Sequence, residues 1–154
     1  MIREIERRFL LEGLPEDLPA GTPIRQGYVA LDGDVSVRTR DAGGDRTLTV
    51  KGGTGRDRVE VERPIDADEF EALWGLSERR RIGKTRSVVP LGEHRAEVDV
   101  YGGELDGLAT AEVEFPSPEA ADAFEPPDWF GEEVTGRPEW GNASLATRGR
   151  PDRP

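Results

Sequence analysis

Thr110-Ala111-Glu112-Val113-Glu114-Phe115 alternates polar and apolar residues at every step. A period of two puts Thr110, Glu112 and Glu114 on one face of a β-strand and Ala111, Val113 and Phe115 on the other. The polar face therefore carries two like charges, two residues apart. The same signature recurs at Glu4/Glu6, Arg38/Arg40, Glu60/Glu62, Lys84/Arg86 and Glu97/Asp99, and the sign never mixes within a pair. The residues between and beside these pairs are strand formers, mostly Val, Ile and Thr. Like charges stacked on one face repel unless opposite charge lies between them, so the chain reads as built around an ionic ligand.

Working outward, eight strands are predicted, over roughly 3–10, 24–30, 35–40, 46–51, 58–62, 81–89, 95–100 and 108–115. Turn residues separate them at Asp32-Gly33-Asp34, Gly43-Gly44-Asp45, Gly52-Gly53 and Leu91-Gly92-Glu93. Hairpin spacing this short predicts antiparallel, up-and-down order. Two helices interrupt it. Asp66 with Glu69 forms a capping box ahead of Phe70, Leu73 and Trp74. Ser117 caps the second, with Pro118 at its first position. A short third helix is predicted from Asn142 to Ala146, and 148–154 reads as a disordered tail. Residues 1–147 form one domain by length.

Only 34% of the 154 residues are hydrophobic, which suits a compact β-domain with one apolar layer. There is no cysteine, so disulfides and thiolate metal sites are excluded. No leader and no long apolar run is present, which predicts a soluble, cytoplasmic protein with no membrane partner. A net charge of −11 argues against nucleic acid as a partner. The bases are 19 Arg and two Lys, Lys51 and Lys84. Arg-biased codon usage or a salt-adapted proteome accounts for that ratio. Both retained lysines nevertheless fall in the charged strand pattern, where a compact ammonium differs from a guanidinium.

Assigning faces by parity collects Glu4, Glu6, Glu60, Glu62, Glu97, Asp99, Glu112 and Glu114 with Arg8, Arg38, Arg40, Lys51, Arg58, Lys84, Arg86 and Arg95. A half-exposed antiparallel sheet shows the same alternation with its charges in water. Two features favour a site instead: the polar positions are nearly all ionised, and acids and bases sort onto different strands. Eight antiparallel strands can close into a barrel whose interior takes one small ligand. Carboxylates without His or Cys suit hard cations, Mg²⁺ or Mn²⁺. Clustered Arg and Lys suit phosphoryl oxygens. Together they suit a polyanion carried with divalent metal, such as a triphosphate.

Glu4-Ile5-Glu6-Arg7-Arg8-Phe9 resembles the amino-terminal E-x-E-x-K motif of CYTH proteins, the triphosphate tunnel metalloenzymes. Arg25-Gln26-Gly27-Tyr28, Arg38-Thr39-Arg40, Leu48-Thr49-Val50-Lys51, Glu60-Val61-Glu62, Lys84-Thr85-Arg86, Glu97-Val98-Asp99 and Glu112-Val113-Glu114-Phe115 agree in order and spacing. Trp129 to Thr135 also resembles short bacterial members, so the likeness spans about residues 2–146. It implies a closed eight-stranded tunnel and, at this length, an inorganic triphosphatase using Mg²⁺ or Mn²⁺, two ions, as monomer or homodimer. By the family pattern Glu4, Glu6, Glu112 and Glu114 are metal carboxylates. Glu60, Glu62 and Asp99 are secondary ligands or orient basic neighbours. Arg8, Arg38, Arg40, Lys51, Arg58, Lys84 and Arg86 hold phosphates. Lys51, Lys84 and Tyr28 are the catalytic candidates: Tyr28 shares the polar face with Gln26, within reach of Lys51, and a nearby lysine favours the phenolate. A barrel-lining hydrogen bond is the plainer role for Tyr28.

The chain departs from the pattern twice. The motif lysine is Arg8, and the basic residue and tyrosine that relatives carry before the Asn become Glu139 and Trp140, with Arg137 nearby to compensate. Among the other residues, His94 reads as an exposed turn residue and Arg79-Arg80-Arg81 as a solvated junction. Trp74, Trp129 and Trp140 read as packing between helices and the outer wall. Two other functions stay open: a nucleotide or organic triphosphate enzyme (NTPase, thiamine triphosphatase or adenylate cyclase), and a non-catalytic polyphosphate- or nucleotide-binding module.

Overall fold

The computed structural model describes residues 4–53 and 59–151. These contain β1 (Glu6–Leu10), β2 (Thr22–Asp32), β3 (Val35–Ala42), β4 (Asp45–Gly52), β5 (Val59–Pro64), α1 (Ala67–Trp74), β6 (Arg81–Leu91), β7 (His94–Tyr101), β8 (Ala109–Glu114), α2 (Pro118–Ala123) and α3 (Asn142–Arg148). Every predicted strand is present within a few residues. The turn chemistry works as read: between Ala42 and its partner Asp45, Gly43 and Gly44 both take positive φ, 62° and 99°, as a two-residue hairpin turn requires. Asp66 and Glu69 make the reciprocal capping box, and Ser117 accepts from the Ala120 amide.

All pairings are antiparallel, but the strand order is β1-β8-β7-β6-β2-β3-β4-β5, which corrects the up-and-down expectation. Two four-strand runs, β2–β5 and β6-β7-β8-β1, meet at a β2–β6 seam. The reason lies in the connections. β5 and β6 are joined through α1 and a 3₁₀ turn at Gly75–Ser77 rather than a hairpin, so β6 returns beside β2. The first strand pairs with the last, Glu6 opposite Glu114 and Arg8 opposite Glu112.

Hydrogen bonds do not close the sheet into a barrel, and β1 and β5 are its two edges among the described residues. The sheet curls enough for side chains to bridge these edges: Lys51 Nζ on β4 donates to both carboxylate oxygens of Glu4 at 3.3 Å. At this gap the Glu4 and Glu60 carboxyls meet and hydrogen-bond.

Opposed residues of paired strands share a face. The outward apolar face of β1, β7 and β8 buries Ile5, Phe9, Ala96, Val98, Ala111 and Val113 beneath Ala121 of α2 and the segment carrying Phe124 and Phe130. His94 packs edge-on against Phe115 and Phe124, at 5.0 and 5.9 Å, rather than standing free in a turn. The outward face of β4 and β5 is left open, with Val50, Val59 and Val61 exposed. A second cluster lies on the inward face at one end of the curled sheet. There Leu10, Ile82, Tyr101 and Leu108 pack against Trp140 and Leu145, so α3 plugs that end. Trp140 thus belongs to this plug, not to the outer wall. Among the described residues, no helix is long and apolar enough to cross a membrane.

Candidate functional site

The strand registers sort the inward charges onto two walls. Tyr28, Arg38, Thr49 and Glu62 form one cross-strand row, and Gln26, Arg40 and Thr47 the next. With Lys84 and Arg86 on β6, the bases line β6-β2-β3-β4. Glu97, Glu112 and Arg8 are opposed across β7, β8 and β1, with Glu6 against Glu114 beside them, so the acids line β7-β8-β1. Glu60 on β5 meets Glu4 across the open edge, whereas Glu62 is exposed and bound to Thr49.

Asp99 is the hinge between the walls. It is 2% exposed, and Arg86 donates to both its oxygens, Nε to Oδ1 at 2.8 Å and Nη2 to Oδ2 at 2.9 Å. Lys84 Nζ lies 2.9 Å from Oδ2 as an ion pair without hydrogen-bond alignment. Burial pushes the Asp99 carboxyl up, but Lys84 and Arg86 outweigh it and hold it well below the usual range. Burial depresses the Lys84 ammonium to about 7, with Asp99 opposing and Arg86 and Arg40 adding to the depression. Arg86 Nη1 also reaches Glu97 at 2.9 Å.

Arg38 and Arg40 have no such acid. Arg38 is buried with its Nε unpartnered, and Arg40 Nε donates only to Gln26 Oε1, at 3.2 Å. Burial, then Arg38 and Arg86, lower the Arg40 guanidinium to about 10. Among the described residues neither arginine is ion-paired with a carboxylate. Two cations held this way, facing a third, leave a position that an anion would fill.

The acids are organised as contacts between like groups. Burial and then Glu112 push the Glu6 carboxyl up to about 8, so Glu6 keeps a proton and shares it with Glu112. Burial pushes Glu112 up as well, but Arg8 and the Glu6 hydrogen bond prevail and leave it low. Across the edge, the hydrogen bond to Glu4, then burial, raise Glu60 to about 7. Burial and the neighbouring Glu4, Glu97 and Glu112 raise Glu114. Glu62 accepts from Thr49 Oγ1 at 2.8 Å. Among the described residues, no three acids are drawn together closely enough to hold a metal ion by themselves. The expected metal set, Glu4, Glu6, Glu62, Asp99, Glu112 and Glu114, is instead divided. Lys51 takes Glu4, two bases take Asp99, Thr49 donates to Glu62, and Glu6 and Glu112 hydrogen-bond to one another.

The donor chemistry still fits a hard divalent cation. Glu6 and Glu112 are all-oxygen donors that hold a proton between them where a cation would otherwise neutralise both. Mg²⁺ characteristically uses one or two carboxylates and completes its shell with substrate phosphates and water.

Arg58 lies outside the described residues. Tyr28 is buried beside Arg38, and its row passes through Thr49, whereas Lys51 stands in the next row between Ser36 and Glu60. Arg137 pairs with Glu139 and Glu132 at the surface and does not enter the site. Arg81 lies over the Trp74 ring on the outer side, 4.3 Å from its centroid. Sequence reasoning missed Tyr101 and Asn142, which reach Arg8 directly. Strand parity carried the signal for Tyr101, since it follows Glu97 and Asp99 at the same period of two.

No protein-family model matches the chain. Among curated proteins it is similar to an inorganic triphosphatase of Nitrosomonas europaea, 43% identical over 145 residues, covering 93% of this chain and 96% of that protein. It is also similar to an inorganic triphosphatase of Acetivibrio thermocellus, 41% identical over 148 residues and covering 94% of each. The chain belongs to the CYTH family, in its short inorganic-triphosphatase branch. A crystal structure of an inorganic triphosphatase superposes on this CYTH chain with a TM-score of 0.75 at 39% identity, covering 98% of this chain and 99% of that one. A putative adenylate cyclase of Bacillus halodurans shares the fold alone, with a TM-score of 0.60 at 17% identity over 77% of this chain and 83% of that one. Within this CYTH site, the family's amino-terminal motif is the segment that contributes Glu4, Glu6 and Arg8 to the acid wall.

Proposed function

We propose that this chain hydrolyses inorganic triphosphate to pyrophosphate and phosphate by in-line attack of water, within the curled sheet acting as a tunnel. The single observation that carries the reading is the pair Arg38 and Arg40. Among the described residues they are held on the inner face without an ion-paired carboxylate, on the same wall as Lys84 and Arg86, which Asp99 already fixes. Both close relatives are named inorganic triphosphatases. The aromatic side chains of the inner face, Tyr28 and Tyr101, are buried among bases, which suits an inorganic chain of phosphates better than a nucleobase.

In this reading Glu6, Glu112, Glu114 and Glu4 hold Mg²⁺ or Mn²⁺ together with substrate oxygens. Held there, such a cation would supply neutralisation of developing phosphoryl charge and a more acidic bound water. Arg38, Arg40, Lys84 and Arg86 orient the phosphate chain and stabilise the leaving pyrophosphate. Asp99 and Glu97 fix the direction of Lys84 and Arg86. Lys51, beside Glu4 and Glu60, sits where the acid and base walls meet and contacts the terminal phosphate. A divalent cation held by the acid wall would neutralise the repulsion among these acids.

Phosphate release from tripolyphosphate, ATP, GTP and thiamine triphosphate, each with Mg²⁺, Mn²⁺ or EDTA, tests this. The expected result is rapid, metal-dependent release from tripolyphosphate and little from the others. Turnover of ATP with none of tripolyphosphate would overturn the reading in favour of a nucleotide enzyme.

A further inference from the structure

Arg8 stands where the family motif has lysine, and its contacts explain what the guanidinium adds. One arm, Nη1, reaches Glu112 Oε2 at 3.1 Å. The other, Nη2, donates to the Tyr101 hydroxyl at 2.9 Å and lies 3.4 Å from Asn142 Oδ1. The Tyr101 hydroxyl in turn donates to Asn142 Oδ1 at 2.8 Å. A single ammonium is one point of charge, whereas a planar fork can span an acid on β8 and a hydroxyl on β7 at once. The Arg8 side chain is 11% exposed and its Nε is left without a partner, so its orientation is set wholly by the two arms.

Tyr101 also serves the other wall. It lies opposite Lys84 in the register, and Lys84 Nζ sits 5.6 Å from the centre of its ring. Asn142 is the first residue of α3, the helix that plugs this end through Leu145. One tyrosine therefore touches a base from each wall and the plug helix.

The geometry points to Tyr101 and Asn142 as positioning residues of this chain: the hydroxyl–amide pair holds the Arg8 fork between the acid wall and the phosphates, and ties that orientation to the docking of α3. The inference rests on the triphosphatase reading for its substrate but not for its geometry. Charge builds on phosphoryl oxygens in the transition state, so a misdirected Arg8 lowers turnover more than binding.

The test is a mutant cycle in the full chain. Tyr101→Phe keeps the ring over Lys84 and removes only the hydroxyl, and Asn142→Ala removes the final acceptor. Each should lower kcat on tripolyphosphate by about tenfold, with KM changed less than about threefold. Arg8→Lys should cost a similar factor, and adding Tyr101→Phe to Arg8→Lys should cost little more, because the hydroxyl acts through the fork. Asn142→Asp, which keeps an acceptor, should rescue most of the Asn142→Ala loss. Additive losses, or a lowered Tm with kcat intact, would overturn the proposal. If wild-type protein does not turn over tripolyphosphate, the functional reading fails separately. The same cycle is then read from pyrophosphate affinity in EDTA by calorimetry. There, a Tyr101→Phe loss that disappears in the Arg8→Lys background supports the relay, and one that persists refutes it.

Discussion

Asp99 and Arg40 show how differently charges of the same wall are held. Asp99 is buried with both oxygens engaged by Lys84 and Arg86. Asp99→Asn would keep the shape and leave two buried cations facing one another. Losing one member of a buried ionic cluster costs about 3–5 kcal/mol, so denaturant unfolding of Asp99→Asn should show a loss of that order. Arg40 is the opposite case. Among the described residues its side chain hydrogen-bonds to Gln26 alone, and Arg38 and Arg86 repel it. Arg40→Ala should leave the denaturation midpoint unchanged or raised while kcat/KM on tripolyphosphate falls about 10²-fold, the usual effect of removing one charge-stabilising donor. A residue kept at a cost to stability is one that function retains. Parity along each strand made both residues legible as inward-facing. It could not say which bases were already neutralised, because that depends on register: Arg86 falls opposite Asp99 and Arg40 opposite Thr47.

At the scale of elements, strands and caps were legible because their signals are local. Alternation needs a few residues, and the Asp66–Glu69 box needs four. The pairing of β1 with β8 has no local signal, since it joins residues about a hundred positions apart. What secures β1 on its other side is equally hidden: the Gly131 amide donates to the Leu10 carbonyl at 2.7 Å, the Leu10 amide to Glu132 at 2.8 Å, and the Val134 amide to Arg8 at 2.8 Å. This strap holds Glu6 and Arg8 against β8. Only glycine permits the approach at residue 131, where an added Cβ would lie 2.6 Å from the Leu10 carbonyl oxygen. Backbone cannot give way as a side-chain tip can. Gly131→Ala should therefore destabilise by about 1–3 kcal/mol, the usual range for overpacking, measured by thermal or denaturant unfolding. It should also lower activity by loosening β1, although residue 131 touches no charged group of the site.

Taken as a whole, the molecule folds with excess negative charge and presses acids together at the meeting of β1, β8 and β5. Glu6 keeps its proton up to about pH 8 and Glu60 to about pH 7, where ordinary carboxyls titrate near 4.5. Both pKa values are raised in the folded state, so the folded protein binds more protons than the unfolded chain across this window. The stabilisation is complete below about pH 4.5 and is lost as pH rises through the folded values. Lys84 works in the opposite sense, its depressed value relieving a penalty as pH rises from about 7 towards its ordinary 10.5. Between pH 5 and 7 the carboxyls therefore act unopposed. In EDTA, stability and with it Tm should fall over that range, the unfolding free energy by up to about 1.4 kcal/mol per pH unit for the proton on buried Glu6 and by less for the more solvent-screened Glu60. If Glu6 and Glu112 hold the cation, as proposed, its binding must displace the shared proton. Saturating metal should flatten the decline, and calorimetric titration in buffers of different ionisation enthalpy should show proton release on binding, greater at pH 6.5 than at pH 8.5. A pH-independent Tm in EDTA would refute the raised carboxyl values, and metal binding without proton release would show that Glu6 and Glu112 are not the cation's ligands.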